Sequence, residues 1–258
     1  VKINIKIAGM LSLLFLSGFI LYLSINIEDK QSYRISSIEI KGGNFISDKD
    51  YASFAMLNDT TAYPFLTPAV IKDRIERHPY VAKADVKRDG LRNIAVQIEE
   101  KKFYAILLDA GVQVLLTENM QVVPFMPQST GVNFPVISNA ENIEAVKKLS
   151  YAGNNGDIVT AFKIMDAFRL TNDELSANLS QIDMRNGKDI LVYFSNIDFP
   201  VIFGRNEEIK KAAYFGSLWK FMKGNEVKNY LDYVDLRFDK HVFLGVTEEE
   251  SGNEGKQI

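Results

Sequence analysis

The chain has no cysteine among its 258 residues, which excludes disulfides and thiolate metal sites. It has only two histidines, His78 and His241, and neither has a second histidine or a carboxylate at the helical spacing of a zinc site. Charge of one sign is missing too: 30 basic and 33 acidic residues leave a net charge of -3. The basic residues are scattered, with none of the stripes that nucleic-acid binding requires. Neither G-x-S-x-G nor either glycine-rich nucleotide loop occurs. Glu99 and Glu100 point to opposite faces of one predicted strand, and Asp232 and Asp235 differ in parity, so neither carboxylate pair converges locally. No catalytic, cofactor-binding or metal-binding residue is expected.

What is present begins with an uncharged run at 7–27, rich in Leu, Ile and Phe, after Lys2 and Lys6 and before Glu28 and Asp29. At about 1.5 Å per residue such a run spans about 30 Å, the thickness of a hydrocarbon core. A cleavable signal peptide has a shorter apolar core and a small-x-small site, which this run lacks. The expectation is a transmembrane helix at 7–27, a cytoplasmic tail at 1–6 by the positive-inside rule, and everything beyond residue 28 outside the membrane.

The outer portion opens with a predicted strand at 33–41, a turn at Gly42-Gly43, and a helix announced by Ser47 with Asp50 three residues on, carrying Tyr51, Phe54 and Ala55. Two glycines after a strand can form a phosphate-cradling loop, but the flanking residues read as a positive-φ turn that changes direction. A second helix starts at Thr67-Pro68 and stops before Pro79, with Val70, Ile71 and Ile75 on one side. A hairpin follows, 81–88 and 92–100 around Asp89-Gly90, in which Ile94, Val96 and Ile98 alternate with polar or small residues. Strand, helix, helix, strand, strand within about 70 residues make one small α+β unit.

From 102 to 247 the pattern predicts a second, strand-dominated domain with flanking helices. Strands are expected at 105–108, 112–116 and 121–125, then a loop at 127–135 and a helix at 157–170 presenting Ile158, Phe162, Met165 and Phe168. Asn186-Gly187 predicts a hairpin turn between 181–185 and 190–194, and 199–203 continues the sheet. The next helix is expected to be capped by Asn206, with Ile209, Ala212, Phe215, Trp219 and Met222 inward and Gly224 beyond its end. The last strands are 230–238 and 241–246 around a turn at Asp239-Lys240. Val234, Leu236 and Phe238 share one face of the first, and Tyr233, Asp235 and Arg237 the other. The acidic tail at 248–258 is expected to be disordered.

Three stretches carry a resemblance. "IEIKGGNFIS" (38–47) resembles the first strand and turn of a POTRA module, "HPYVAKADVKRDGLRNIAVQIEEKKFYAIL" (78–107) its strand pair running into a second domain, and "YVDLRFDKHVFLG" (233–245) a closing strand pair. Together with the anchor they resemble the bacterial cell-division FtsQ/DivIB family. That resemblance implies a POTRA domain at 33–101 and an FtsQ-type β domain at 102–247. It implies a non-enzymatic divisome scaffold of the inner membrane and septum that binds FtsB/FtsL-like single-pass partners, meets other division proteins through the POTRA domain, and links them to septal peptidoglycan synthesis. Partner-binding positions carried over are Arg237, Phe238, Lys240, Val242, Phe243, Leu244, Gly245 and Val246. An exposed final strand could accept a partner segment as a further strand. Phe238 could instead be core, and Arg237 could simply be held by Asp235. Readings from other classes are a POTRA-bearing assembly or secretion component and a membrane-anchored cell-wall enzyme.

Overall fold

The computed structural model describes residues 5–26, 35–109, 111–225 and 230–246. The expectations for 1–4, 27, 33–34 and the tail from 247 fall outside the described residues. A helix, α1, covers Ile5–Asn26, and its described side chains, at 9, 10 and 12–22, are exposed. Among the described residues no helix is long and apolar enough to cross a membrane.

The first folded unit comprises β1 (Ser37–Lys41), α2 (Asp48–Phe54), α3 (Pro68–Glu76), β2 (Val81–Asp89) and β3 (Asn93–Glu100), with a 3-10 turn at Thr60–Phe65. The helices start where the caps predict: Ser47 accepts from the Asp50 N–H and Thr67 from the Val70 N–H. The sheet order is β1-β3-β2, with β1 parallel and β2 antiparallel to β3. Ile94, Val96 and Ile98 of β3 turn one face toward Tyr51 of α2 and Ile71 and Ile75 of α3, all buried. Each such aliphatic side chain removed from water contributes about 1.5–3 kcal/mol. Phe54 and Val70, expected on the inward faces, are exposed. Phe54 lies at the end of a two-turn helix, where its ring sits edge-on to His78 at 4.6 Å.

The double-glycine turn has a specific task. Gly42 has φ +108, and a Cβ there would lie 2.2 Å from the Ile98 carbonyl oxygen. The turn brings the N–H groups of Asn44 and Phe45 onto the Glu100 carboxylate at 2.9 and 3.2 Å, and the Tyr51 hydroxyl donates to the same group at 2.5 Å. Burial and that carboxylate push the Tyr51 hydroxyl above its ordinary pKa. The turn does bind an anion, and the anion is the chain's own Glu100, which ties the end of β3 to the start of the helical layer.

The second unit is a nine-stranded sheet in the order β12-β11-β10-β9-β8-β7-β4-β5-β6. Its strands are β4 (Phe103–Asp109), β5 (Val112–Thr117), β6 (Val122–Pro124), β7 (Val136–Ser138), β8 (Leu179–Asp183), β9 (Leu191–Phe194), β10 (Val201–Ile202), β11 (Leu231–Asp235) and β12 (Phe243–Val246). Between them run α4 (Gly156–Thr171), α5 (Asp173–Asn178) and α6 (Glu208–Met222). Ile158, Phe162, Met165 and Phe168 of α4 and Ala212, Phe215, Trp219 and Met222 of α6 form one core with Leu107, Leu116, Ile182, Val192, Val201 and Val234 of the sheet. Leu115 and Val123 point the other way, into the core of the first unit, where Phe103 meets Phe45 and Tyr80 at ring distances of 5.1 and 4.8 Å. Alternation along β5 thus feeds two cores from one strand.

Several details differ from the sequence expectation. β7 and α5 have no predicted counterpart, and the strand expected at 181–185 lies at Leu179–Asp183, because Arg185–Gly187 forms a 3-10 turn. Asn206 does not cap α6. Asn206 and Glu207 both have left-handed φ (69 and 54), and the helix begins at Glu208. That start leaves Ile209 in the first turn at 61% exposure, while Lys211 goes inward.

Candidate partner-binding edge

The closing strand pair β11–β12 is antiparallel, matching Leu231 to Val246, Tyr233 to Gly245, Val234 to Leu244 and Asp235 to Phe243, with a bulge between Leu231 and Tyr233. β12 is the last strand of the sheet, and among the described residues no strand lies beyond it. Its outer backbone groups form an open edge. Phe243, Leu244 and Val246, with Val242 just before them, are exposed apolar side chains. Gly245 admits the ring of its cross-strand neighbour: a Cβ at 245 would lie 2.3 Å from Tyr233 Cε1. Tyr233 therefore lies across the edge strand, covering backbone that glycine leaves bare.

The turn from 236 to 242 is held by charge. Asp235 is buried and accepts from the Arg237 backbone N–H at 3.0 Å, from Nε at 3.0 Å and from Nη2 at 2.7 Å. Arg237 Nη1 reaches Asp189 at 2.8 Å. Burial pushes the Asp235 carboxyl up, but the Arg237 side-chain and backbone donors outweigh it and hold the group below the usual carboxylate range. The same bonds, to Asp235 first and Asp189 second, raise the Arg237 guanidinium further. Gly204, with φ +60, lies under the Arg237 stem, and a Cβ there would come 2.7 Å from its Cγ. Lys210 of α6 bridges Glu207 and Asp239 at 3.2 and 3.1 Å. Lys211 donates to the carbonyls of Phe203 at 2.8 Å and Arg205 at 3.1 Å, and burial lowers its pKa.

These contacts correct one expectation. Phe238 does not continue the inward face of Val234 and Leu236, because β11 ends at Asp235 and the Asp235–Arg237 bonds turn the chain. Phe238 is 52% exposed and stands edge-on to Phe243 at 4.8 Å. The predicted positions form two adjoining features. Arg237, Phe238, Lys240 and Val242 line a groove of about 580 Å³ against Lys210 and Tyr214 of α6, while Phe243, Leu244, Gly245 and Val246 form the edge strand beside it. Tyr233, Gly204, Lys210 and Lys211 complete the construction and were not singled out from sequence. Of these only Gly204 carries a signal in the sequence, and without the fold it has no match to the Arg237 stem.

Residues 33–101 match the family model described as POTRA domain, FtsQ-type, and residues 105–237 match Cell division protein FtsQ/DivIB, C-terminal. The cell division protein FtsQ of Rhodothermus marinus is 32% identical over 81 residues, covering 31% of this chain and 30% of that protein. The FtsQ of Geotalea daltonii is 18% identical over 212 residues, covering 82% of this chain and 75% of that protein. A solved structure, the extracytoplasmic domain of the trans isomer of DivIB from Geobacillus stearothermophilus, is 13% identical and covers 49% of this chain and 98% of that one. Its TM-score is 0.29. Because the FtsQ/DivIB C-terminal match alone spans more than half of the 258 residues, the chain belongs to the FtsQ/DivIB family of bacterial cell-division proteins.

Proposed function

We propose that the chain is a division-complex scaffold that captures a single-pass partner of the FtsB/FtsL type by strand addition to β12, and so links that partner to septal peptidoglycan synthesis. Family membership makes it a cell-division protein of a non-enzymatic family. The finer reading adds an anchor at 7–27 in the cytoplasmic membrane, the N-terminus in the cytoplasm, both folded units outside, and further division proteins meeting the POTRA domain.

The observation that carries the reading is the position of β12 at the end of the sheet with exposed apolar side chains on it. A partner strand there would gain backbone hydrogen bonds from the open edge and selectivity from Phe243, Leu244 and Val246. The groove alongside, with Arg237, Lys240, Phe238 and Tyr214 on its walls, offers cationic and aromatic surface to the residues flanking that strand.

Leu244→Pro tests it. Proline removes a backbone donor from the edge strand and fixes its φ, so capture of the partner from membrane extracts should fall by tenfold or more, equivalent to at least about 1.4 kcal/mol. Circular dichroism should show the variant still folded. A folded Leu244→Pro variant that retains full capture would remove the edge from the mechanism.

A further inference from the structure

One end of the first unit gathers features that the division role at β12 does not use. β1 begins, β3 begins and β2 ends at this end, since Ser37 pairs with Asn93 and Asp89 with Asn93. The chain arrives there from α1: the Ser36 backbone N–H donates to the Arg92 carbonyl at 2.7 Å and its hydroxyl to the same oxygen at 3.2 Å. Followed backward, α3 runs along β2 toward this end: Glu76 in its last turn accepts from the Ala84 N–H at 3.0 Å, and Lys72, one turn earlier, lies near Asp85, one residue closer to the tip. Its first residue, Pro68, therefore lies toward the hairpin tip, and Phe65 lies within about 10 Å of Pro68, three residues back along the chain.

This end exposes apolar side chains that nothing in the unit covers. Leu91 at the hairpin tip is 67% exposed and Phe65 is 86% exposed, with Val70 partly exposed behind it. The tip, 87–92, carries Lys87, Arg88 and Arg92 against one acid, Asp89. Lys87 is paired with Asp85, and Arg88 is exposed. Nine Cα steps separate Asn26, the end of α1, from Ile35, so Ile35 lies within about 30 Å of the end of α1, and the tip adjoins it through the Ser36–Arg92 bond. If α1 spans the bilayer, the part of the outer portion tethered closest to the lipid is an apolar tip with basic flanks, the composition of an interfacial contact.

We infer that the POTRA domain rests on the membrane through this end, with Leu91 and Phe65 dipping into an anionic lipid surface and Arg88 among the headgroups. The contact fixes the height and tilt of the first unit, and hence of the long sheet attached to it, above the bilayer. This inference rests on the anchored reading proposed above.

The absence of cysteine makes the test direct. Single cysteines at Leu91→Cys, Phe65→Cys, Phe15→Cys and Tyr151→Cys in the full chain would each carry an environment-sensitive fluorophore. The protein would be reconstituted into vesicles of phosphatidylglycerol and phosphatidylcholine with brominated acyl chains. The label at 15 should be strongly quenched, those at 65 and 91 quenched by roughly half, and that at 151, on the second unit, left bright. Adding Arg88→Glu should reduce the quenching at 91. Quenching at 15 with labels at 65 and 91 as bright as at 151 would overturn this inference alone and leave those side chains to a protein partner. An unquenched label at 15 would overturn the anchored reading and this inference with it.

Discussion

The two ends of the nine-stranded sheet are built on opposite principles. At the β6 end the edge strand is three residues long and ends in Pro124. The Val122 N–H donates to the Ser150 carbonyl, the Leu149 N–H to the Val122 carbonyl, and the Ala152 N–H to the Met120 carbonyl, so the segment around 149–152 seals the edge. Both faces are covered there as well, one by the helices and the other by the first unit, through Leu115 and Val123. At the β12 end none of the described residues forms a strand beyond the edge, and the side chains of the last strand are exposed and apolar apart from Gly245. Short, proline-bearing, covered edges are how natural sheets prevent pairing with other chains. Within this sheet, one edge is guarded and the other is left apolar and unpaired among the described residues.

The strongest way to break that contrast is to open the guarded end. Ala152→Pro deletes the donor to the Met120 carbonyl and forces a ring into a site where Ala152 is 1% exposed. The expected cost is about 3 kcal/mol, read from denaturant unfolding, together with concentration-dependent self-association by light scattering. A variant that loses the stability but stays monomeric would show that the 149–152 segment supports the fold without guarding an edge.

A smaller effect separates the first unit from the open edge by pH. His78 is buried, accepts from the Tyr80 N–H through Nδ1, and is held by burial at a pKa of about 4. Its folded-state pKa lies below the unfolded value of about 6.5, so the unfolded chain binds the proton first and stability falls as pH drops from 6.5 toward 4. Between pH 7 and pH 5 the loss should be about 2 kcal/mol, and His78→Asn, which keeps an acceptor for the Tyr80 N–H, should flatten the profile. The Asp235 carboxyl at the open edge is shifted in the same direction, but in a lower pH window. Its folded pKa is depressed, so its contribution is present above about pH 4 and is lost only as pH falls through the folded value. Partner capture at pH 5 should persist while overall stability drops, and capture that fell in step with stability would mean that the two regions are not separable.

Those elements with a local signature were legible in the sequence. Ser47 and Thr67-Pro68 announce α2 and α3 through side chains that satisfy the first N–H groups of the helix, and Asp89-Gly90 announces a hairpin through backbone preference alone. β7 has no such signature. It is three residues long, and its parallel neighbours are β4 and β8, the latter more than forty residues on, so only tertiary pairing defines it. α5 was hidden because Asn172 ends α4 and caps α5 at once. At the site itself, two-residue alternation carried three residues past the end of β11 puts Phe238 on the inward face, the alternative to its place among the partner-binding positions, and the structure has Phe238 exposed. What ends the strand is the side chain of Asp235 bonding the Arg237 N–H, a local competition with the ladder that a hydrophobicity pattern does not register.

The finest test of the contrast concerns one glycine. Gly245→Ala places a methyl group where the Tyr233 ring now lies, and the obstacle is a side chain rather than backbone, so the ring can swing aside. The fold should lose less than about 1 kcal/mol, since alanine suits an extended strand better than glycine does and offsets part of the displaced ring contact. The displaced Tyr233 ring, however, would uncover the backbone of β12 on that face and change the surface an added strand meets. Thermal unfolding should therefore be nearly unchanged while partner affinity shifts by a few fold, with Tyr233→Ala producing the same affinity change and no further change in the double variant. Additive effects of the two substitutions would show that the ring and the glycine act separately, and the open edge would then consist of backbone alone.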